Sequence, residues 1–379
     1  MCLLHDIIAN GDTMKKLIYI CLSALLLSGC TTKKESLQKY DFTSTSLGFD
    51  TVIMFSAYAE SEKQFNEYKQ IVIDEFTYYD QLFDKYNTHK DVANIKTIND
   101  AAGDHAVTVE QPIMDVLTLA KEFDEASNHQ FSITLGSVLN LWHDAREQSL
   151  DDPNKTYIPS KQDLQEANKH TGWQHIEIDE KNRKVFITDK ETQLDVGAVA
   201  KGYAVEEVAK KLEQAGLKHG LINGGGNVRL IGSKPNDEAW SVGLQIPNAQ
   251  TMQTNSLLSI QIASSCSFVT SGDYQRYYTY NDERMHHIID PSTLYPSKHA
   301  RSVTVITKDS ALADLLSTTL FTMSYDDGVD FIKRVQEQKQ ISIEAIWVYD
   351  EGKAETSNTI TKDGYDLAFT DGVIDMIKQ

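Results

Sequence analysis

Asp314 and Thr318 stand four residues apart in residues 309–323, a stretch whose apolar spacing and leading Asp309 predict a capped helix. On a helix that separation puts a carboxylate and a hydroxyl on one face. The pair offers hard-oxygen ligation suited to Mg2+ beside a phosphate. The same pair can equally form a local side-chain hydrogen bond on a partly exposed helix. A second cluster, Asp195, Gly197, Ala198, Lys201 and Gly202, falls where a strand gives way to a helix running from about Ala198 to Gly216. A helix N-terminus presents free N–H groups and positive dipole to a phosphate, and Lys201 adds a point charge. The plainer alternative there is a capped helix with a solvated lysine.

Two further segments carry suggestive residue types. Asn223-Gly224-Gly225-Gly226-Asn227 lies between two apolar strands. Its glycines permit positive φ and close backbone approach, but it lacks the dinucleotide fingerprint spacing before a helix and reads more simply as a tight hairpin turn. Thr270-Ser271-Gly272-Asp273-Tyr274 is followed by His286-His287 and Asp290-Pro291. Adjacent histidines in a strand point to opposite faces, and the spacing fits no zinc motif. One histidine lining a site is the better reading.

These groups need a scaffold. Residues 51–59 are β-branched and aromatic enough for a strand. Phe65, Tyr68, Val72, Phe76, Tyr79, Phe83 and Tyr86 follow at helical spacing, so one face of a long helix is apolar. Most of that stripe is core packing; Tyr86, where the pattern stops, is placed to reach a ligand. A helix is expected from Pro112 to about Ser127, a polar surface loop and subdomain boundary over 144–160, and a capped helix start at Ser160 with Asp163. A hairpin is expected over 175–178 and 184–187, then strands near 219–223, 227–232, 240–246, 257–263 and 302–307. A further helix precedes a strand over 341–349. Helices and strand-to-strand hops are mixed, so the fold class is α+β, with mixed sheets, packed helices and one compact unit of two subdomains.

Composition excludes some function classes. The 379 residues are 41% apolar and 24% charged, an ordinary globular balance. Acidic side chains outnumber basic ones 55 to 36, for a formal charge of −19, a balance that argues against nucleic acid as a partner. Four cysteines are too few for a disulfide framework. Three of them precede residue 31. Met14-Lys15-Lys16, an apolar run from Leu17 to Leu27 and Leu27-Ser28-Gly29-Cys30 read as a bacterial export signal ending in a lipobox, with Cys30 as the lipidated residue. Residues 1–29 are then signal, 1–13 an upstream start-site extension, 30–40 a tether and 41–379 the catalytic domain. The expected location is extracytoplasmic, lipid-anchored to the bacterial cell membrane. Cys266, flanked by Ile262, Phe268 and Val269, reads as a core thiol.

Taken in order, the segments Leu194 to Val205, Asn223 to Gly232, Thr270 to Asp273, His287 to Pro291, and Ala313-Asp314 with Thr318 resemble the ApbE family of FAD:protein FMN transferases. The matching pieces run from about Leu47 to Trp347. The resemblance implies an enzyme that binds FAD and Mg2+ and transfers FMN onto a threonine of an extracytoplasmic flavoprotein, releasing AMP. Carried over by motif, Asp195 and Lys201 would contact FAD, as would Leu47, Tyr86, Ile288 and the segment Gln130-Phe131-Ser132. The Ala198 carbonyl, Asp314 and Thr318 would hold the metal. His287 and Asp314 are the candidates to take the nucleophile's proton. The chain departs from the family pattern where Gly-Ala-Phe-Asp is common and His129-Gln130-Phe131-Ser132 stands, at Ser137 for a usual Pro, and at Ser292-Thr293-Leu294. The alternatives are an FAD pyrophosphatase and a flavin-binding lipoprotein without transfer; the latter would have no use for the Asp314/Thr318 pair.

Overall fold

The computed structural model describes residues 37–247 and 256–377. The export signal, Cys30 and the tether as far as residue 36 lie outside the described residues. Gln38 to Tyr40, assigned above to the tether, instead open a strand, Gln38–Ser44. Lys39 onward forms one compact unit.

Its centre is a nine-stranded sheet. In spatial order the strands are Gln38–Ser44, Ile53–Ala59, Gly220–Gly224, Asn227–Ile231, Cys266–Gly272, Ser302–Thr307, Glu344–Asp350, Tyr365–Phe369 and Thr359–Lys362. From Ile53–Ala59 onward every pairing is antiparallel. Strand Ile53–Ala59 buries Ile53, Phe55, Ala57 and Ala59 on one face, as its period-two pattern requires. Strand Ser302–Thr307 is buried throughout. Val303 and Val305 join the core under the helices, and Ile306 joins a second core under the ribbon Trp240–Gln245 with Ser256–Ile262.

Three helices that cover the first face matter most for function: Glu62–Phe83, Ala200–Gln214 and Ser310–Phe321. The aromatic stripe of the first is buried as its spacing demands, each such side chain contributing about 1.5–3 kcal/mol relative to exposure. Ser61 caps this helix by accepting from the Gln64 N–H. The helix ends at Phe83, which leaves Tyr86 beyond the C-cap and 55% exposed. The expected cap at Asp309 is present, accepting from the Leu312 N–H. The glycine turn is a hairpin with positive φ at both Gly225 (62°) and Gly226 (95°), conformations that side chains resist.

Several elements differ from the sequence reading. Residues 144–151 are not loop but the second half of a helix, Gly136–Asp151. Val138, Trp142, Ala145 and Ser149 repeat at helical spacing on its buried face, and the polar residues cover the outside. The irregular stretch is confined to the residues after it. Strand Cys266–Gly272, in the middle of the sheet, went unanticipated because its residues are largely polar. Its hydroxyls are satisfied from neighbouring elements: Thr270 Oγ1 lies 2.8 Å from Thr304 Oγ1, and Ser271 Oγ 2.8 Å from Ser317 Oγ. The small helix Ile95–Asp100, the ribbon Tyr277–Tyr280 with Glu283–His286 and the closing hairpin are likewise additions.

Candidate active site

Helices Ala200–Gln214 and Ser310–Phe321 cross closely at Gly202. A Cβ there would lie 2.4 Å from the Ser310 carbonyl oxygen and 2.5 Å from Asp314 Cβ, so only glycine fits. The close approach lets the Gly202 N–H, a first-turn donor with no intrahelical partner, donate to Asp314 Oδ2 at 2.8 Å. Asp314 thereby caps a helix remote in sequence and meets the positive end of its dipole. Lys201 Nζ is 4.0 Å from the same oxygen, and Asn227 Nδ2 donates to it at 3.4 Å. Burial pushes the Asp314 carboxyl above the usual carboxylate range; Lys201, the Gly202 N–H and Asn227 pull in the opposite direction.

Thr318 sits one turn further on, its Oγ1 3.2 Å from Ser271 Oγ. The partners of Asp314 and Thr318 thus lie on other elements, and both side chains border a cleft of about 960 Å³. Ala198 lines the same cleft, in the turn where Val199 and Ala200 donate to the Val196 carbonyl ahead of the helix. A carboxylate and a hydroxyl bordering one cleft, with the Ala198 main chain on the same wall, are hard-oxygen groups of the kind Mg2+ takes. The three contacts described for Asp314 all use Oδ2, leaving Oδ1 as the oxygen to offer a cation.

The other end of the cleft is made by Asp195 and its neighbours. Lys85 Nζ lies 2.7 Å from Asp195 Oδ2, and the Gly197 N–H donates to Oδ1 at 2.9 Å. Burial opposes the Asp195 charge, but Lys85 and the Gly197 N–H outweigh it and hold the carboxyl below its usual range. Lys85 also donates to Asn140 Oδ1 at 3.1 Å and sits 5.0 Å over the Tyr86 ring, a cation–π distance. The Tyr86 ring in turn lies 5.3 Å from His143.

Gln130, Phe131 and Ser132 line the cleft. Ser132 Oγ donates to Asp124 Oδ2 at 2.9 Å, and the same carboxylate accepts from Trp173 Nε1 at 2.6 Å and pairs with His129 Nδ1 at 2.8 Å. The carboxylate missing at position 132 therefore has a buried counterpart one layer behind, on helix Gln111–Ala126.

The two histidines divide as expected. His286 is buried, its Nε2 2.8 Å from the Ser297 carbonyl and its ring edge-on to Phe321. His287 opens to solvent in the cleft, with Nδ1 3.2 Å from the Arg276 carbonyl. Desolvation by the cleft walls, then Arg276, His286 and Lys201, all disfavour its imidazolium and lower its pKa. The ring's access to solvent limits the depth of that shift but leaves its direction. A neutral ring donating from Nδ1 to the carbonyl keeps an Nε2 lone pair for a proton.

Of the sequence-derived residues, Tyr86, Gln130, Phe131, Ser132, Asp195, Ala198, Lys201, His287, Ile288, Asp314 and Thr318 line this one cleft. Leu47 does not: it is buried in the main core, and the chain reaches the cleft only at Gly48, which turns with φ 95°. Sequence reasoning missed Lys85 and the face of helix Gly136–Asp151 that brings Trp142, His143 and Arg146 to the cleft. The helical spacing of Val138, Trp142 and Ala145 was the available signal; for Lys85 there was only its position beside Tyr86. Cys266 behaves as a core thiol: burial pushes it up to about 11, and its Sγ rests 3.3 Å from the Thr307 carbonyl.

A mixed α+β fold with a cleft that gathers these groups defines the class. The ApbE family model matches residues 49–345, and the chain belongs to the ApbE family. The FAD:protein FMN transferase of Klebsiella pneumoniae (strain 342) is 32% identical over 257 residues, covering 68% of this chain and 75% of that protein. That of Haemophilus influenzae is 27% identical over 358 residues, covering 92% and 98%. The crystal structure of the ApbE protein from Thermotoga maritima superposes with a TM-score of 0.71 at 25% identity, covering 90% of this chain and all of that one.

Proposed function

We propose that this chain is an FAD:protein FMN transferase that moves FMN from FAD to a threonine of an acceptor flavoprotein. The observation that carries the reading is the convergence of Asp314, Thr318, Ala198 and Lys201 in a cleft whose other end holds Asp195, Lys85 and Tyr86. Mg2+ held by Asp314, Thr318 and the Ala198 carbonyl would neutralise phosphate charge in the transition state. Lys201 would face the pyrophosphate as a point charge at the N-terminus of helix Ala200–Gln214, whose dipole adds to it. Tyr86 and the Lys85–Asp195 pair hold the flavin end.

In the reaction the acceptor threonine oxygen bonds to the FMN phosphorus, the pyrophosphate P–O bond breaks, and AMP leaves. His287 Nε2 takes the threonine proton; the lowered pKa keeps the ring neutral, with that lone pair unprotonated, at physiological pH. Asp314 is left to the metal, its Oδ2 already engaged by Gly202, Lys201 and Asn227. The experiment is incubation of the protein with FAD, Mg2+ and a threonine-presenting flavoprotein. Flavin fluorescence retained by the denatured acceptor, with one AMP per label, supports transfer. AMP with free FMN and no label indicates hydrolysis, and neither product indicates a flavin binder.

The export signal and Cys30 support a lipid-anchored, extracytoplasmic enzyme acting on an acceptor in the same compartment. Metabolic fatty-acid labelling checks this: equal label in wild type and Cys30→Ala contradicts the anchor.

A further inference from the structure

Two asparagines flank the glycine turn, and they are used differently. Asn223 Oδ1 accepts from the Gly226 N–H at 3.0 Å and so is spent on the turn itself. Asn227 opens the next strand, lines the cleft and is 1% exposed. Its Nδ2 donates to Asp314 Oδ2 at a long 3.4 Å, and its Oδ1 is buried without a partner among the described residues. A buried acceptor left unpaired carries a desolvation penalty that native proteins rarely leave uncompensated.

Charge fixes the orientation of the amide. Turned the other way, its oxygen would face the Asp314 carboxylate, acceptor against acceptor. As it stands, the site holds a carboxylate, the Thr318 hydroxyl and an orphaned amide oxygen, three acceptors or hard donors with Lys201 at 4.0 Å as the nearby cation. A divalent cation takes oxygens of these kinds, and it would give the buried amide oxygen the partner it lacks. The turn supports the role: the Thr270 N–H donates to the Gly226 carbonyl at 3.2 Å and pins the hairpin to the central strand, so Asn227 is held on rigid backbone.

We infer that Asn227 contributes its amide oxygen to the divalent cation held by Asp314 and Thr318, making the glycine hairpin part of the metal site; this rests on the metal reading proposed above. A neutral amide there leaves Asp314 as the one carboxylate among these ligands. Ligand charge sets cation affinity, so the choice of Asn over Asp keeps binding moderate.

The test measures Mn2+ binding to the full chain by the loss of the free-ion EPR signal, without FAD or acceptor. Asn227→Leu should bind Mn2+ about 10- to 100-fold more weakly, the usual effect of removing a group that supports a metal site. Its metal-free melting temperature should fall only modestly, because the substitution removes one long 3.4 Å bond to Asp314 and an oxygen that has no partner among the described residues. Asn227→Asp should bind more tightly. Wild-type Mn2+ affinity in Asn227→Leu overturns the inference. If that variant fails to fold, unchanged or weaker binding by Asn227→Asp overturns it. Failure of the wild type to bind Mn2+ overturns the metal reading and this inference together, an outcome distinct from loss of the Asn227 role alone.

Discussion

At one end of the cleft, Asp314 is 4% exposed and clamped between two helices that touch at a glycine. At the other, Tyr86 is 55% exposed on a loop past a helix end, held by a cation over its ring. Both ends are built of polar groups, yet they are built for different tasks. Phosphoryl chemistry depends on charges held to within a fraction of an ångström, and the end proposed to hold the phosphates stands on packed helices and a central strand. A broad aromatic ligand is recognised by stacking that tolerates adjustment, and the end proposed to hold the flavin is assembled from loop residues and ion pairs.

The contrast can be broken at its rigid end first. Gly202→Ala forces a methyl group against the Ser310 carbonyl and the Ala311 Cα, both backbone. The helices must separate, with an expected stability loss of about 1–3 kcal/mol or more and with Asp314 moved off the Gly202 N–H. Urea denaturation and Mn2+ binding should both respond; an unchanged midpoint with intact metal binding would show that the contact is not tight.

At the adaptable end, Lys85→Met strands Asp195 without its counter-ion. Both side chains are largely buried, so a loss on the order of 1–3 kcal/mol is expected at neutral pH, together with weaker FAD binding. The sign with pH follows from Asp195, whose carboxyl is held below its usual range. Its stabilisation is complete above the unfolded value of about 3.9 and lost as pH falls through the folded one. The gap between wild type and variant should therefore close in acid, and a gap that widened on acidification would contradict the pairing.

The smallest expected effect lies at the mouth. Because the His287 pKa is lowered, the acid limb of kcat/KM should lie below the ordinary histidine value of about 6.5. Arg276→Gln removes one of the cations that depress it and should move that limb upward. A limb at 6.5 in both proteins would remove His287 from the proton transfer.

The same division governs what was legible in the sequence. The Phe65-to-Phe83 stripe, the Asp309 cap and the Asp314/Thr318 pair are local patterns, and the structure keeps them. Strand Cys266–Gly272 was not legible, because its hydroxyls find partners in Thr304 and Ser317, far along the chain. Helix Gly136–Asp151 was obscured by a start lacking a side-chain cap and by polar residues in its second half. The Lys85–Asp195 pair and the Asp124 carboxylate behind Ser132 are tertiary meetings that no spacing announces. The burial of Leu47 was not legible either, because a turn at Gly48 decides which part of the chain reaches the cleft.

The central claim is that Asp314 holds the metal on which flavin transfer depends. Asp314→Asn keeps the side-chain shape and removes its charge, so the fold should survive. Transfer of FMN to an acceptor, followed across a Mg2+ titration, should fall by on the order of 10²–10³ at limiting metal, while FAD binding without metal changes little. Transfer at the wild-type rate throughout that titration would contradict the assignment.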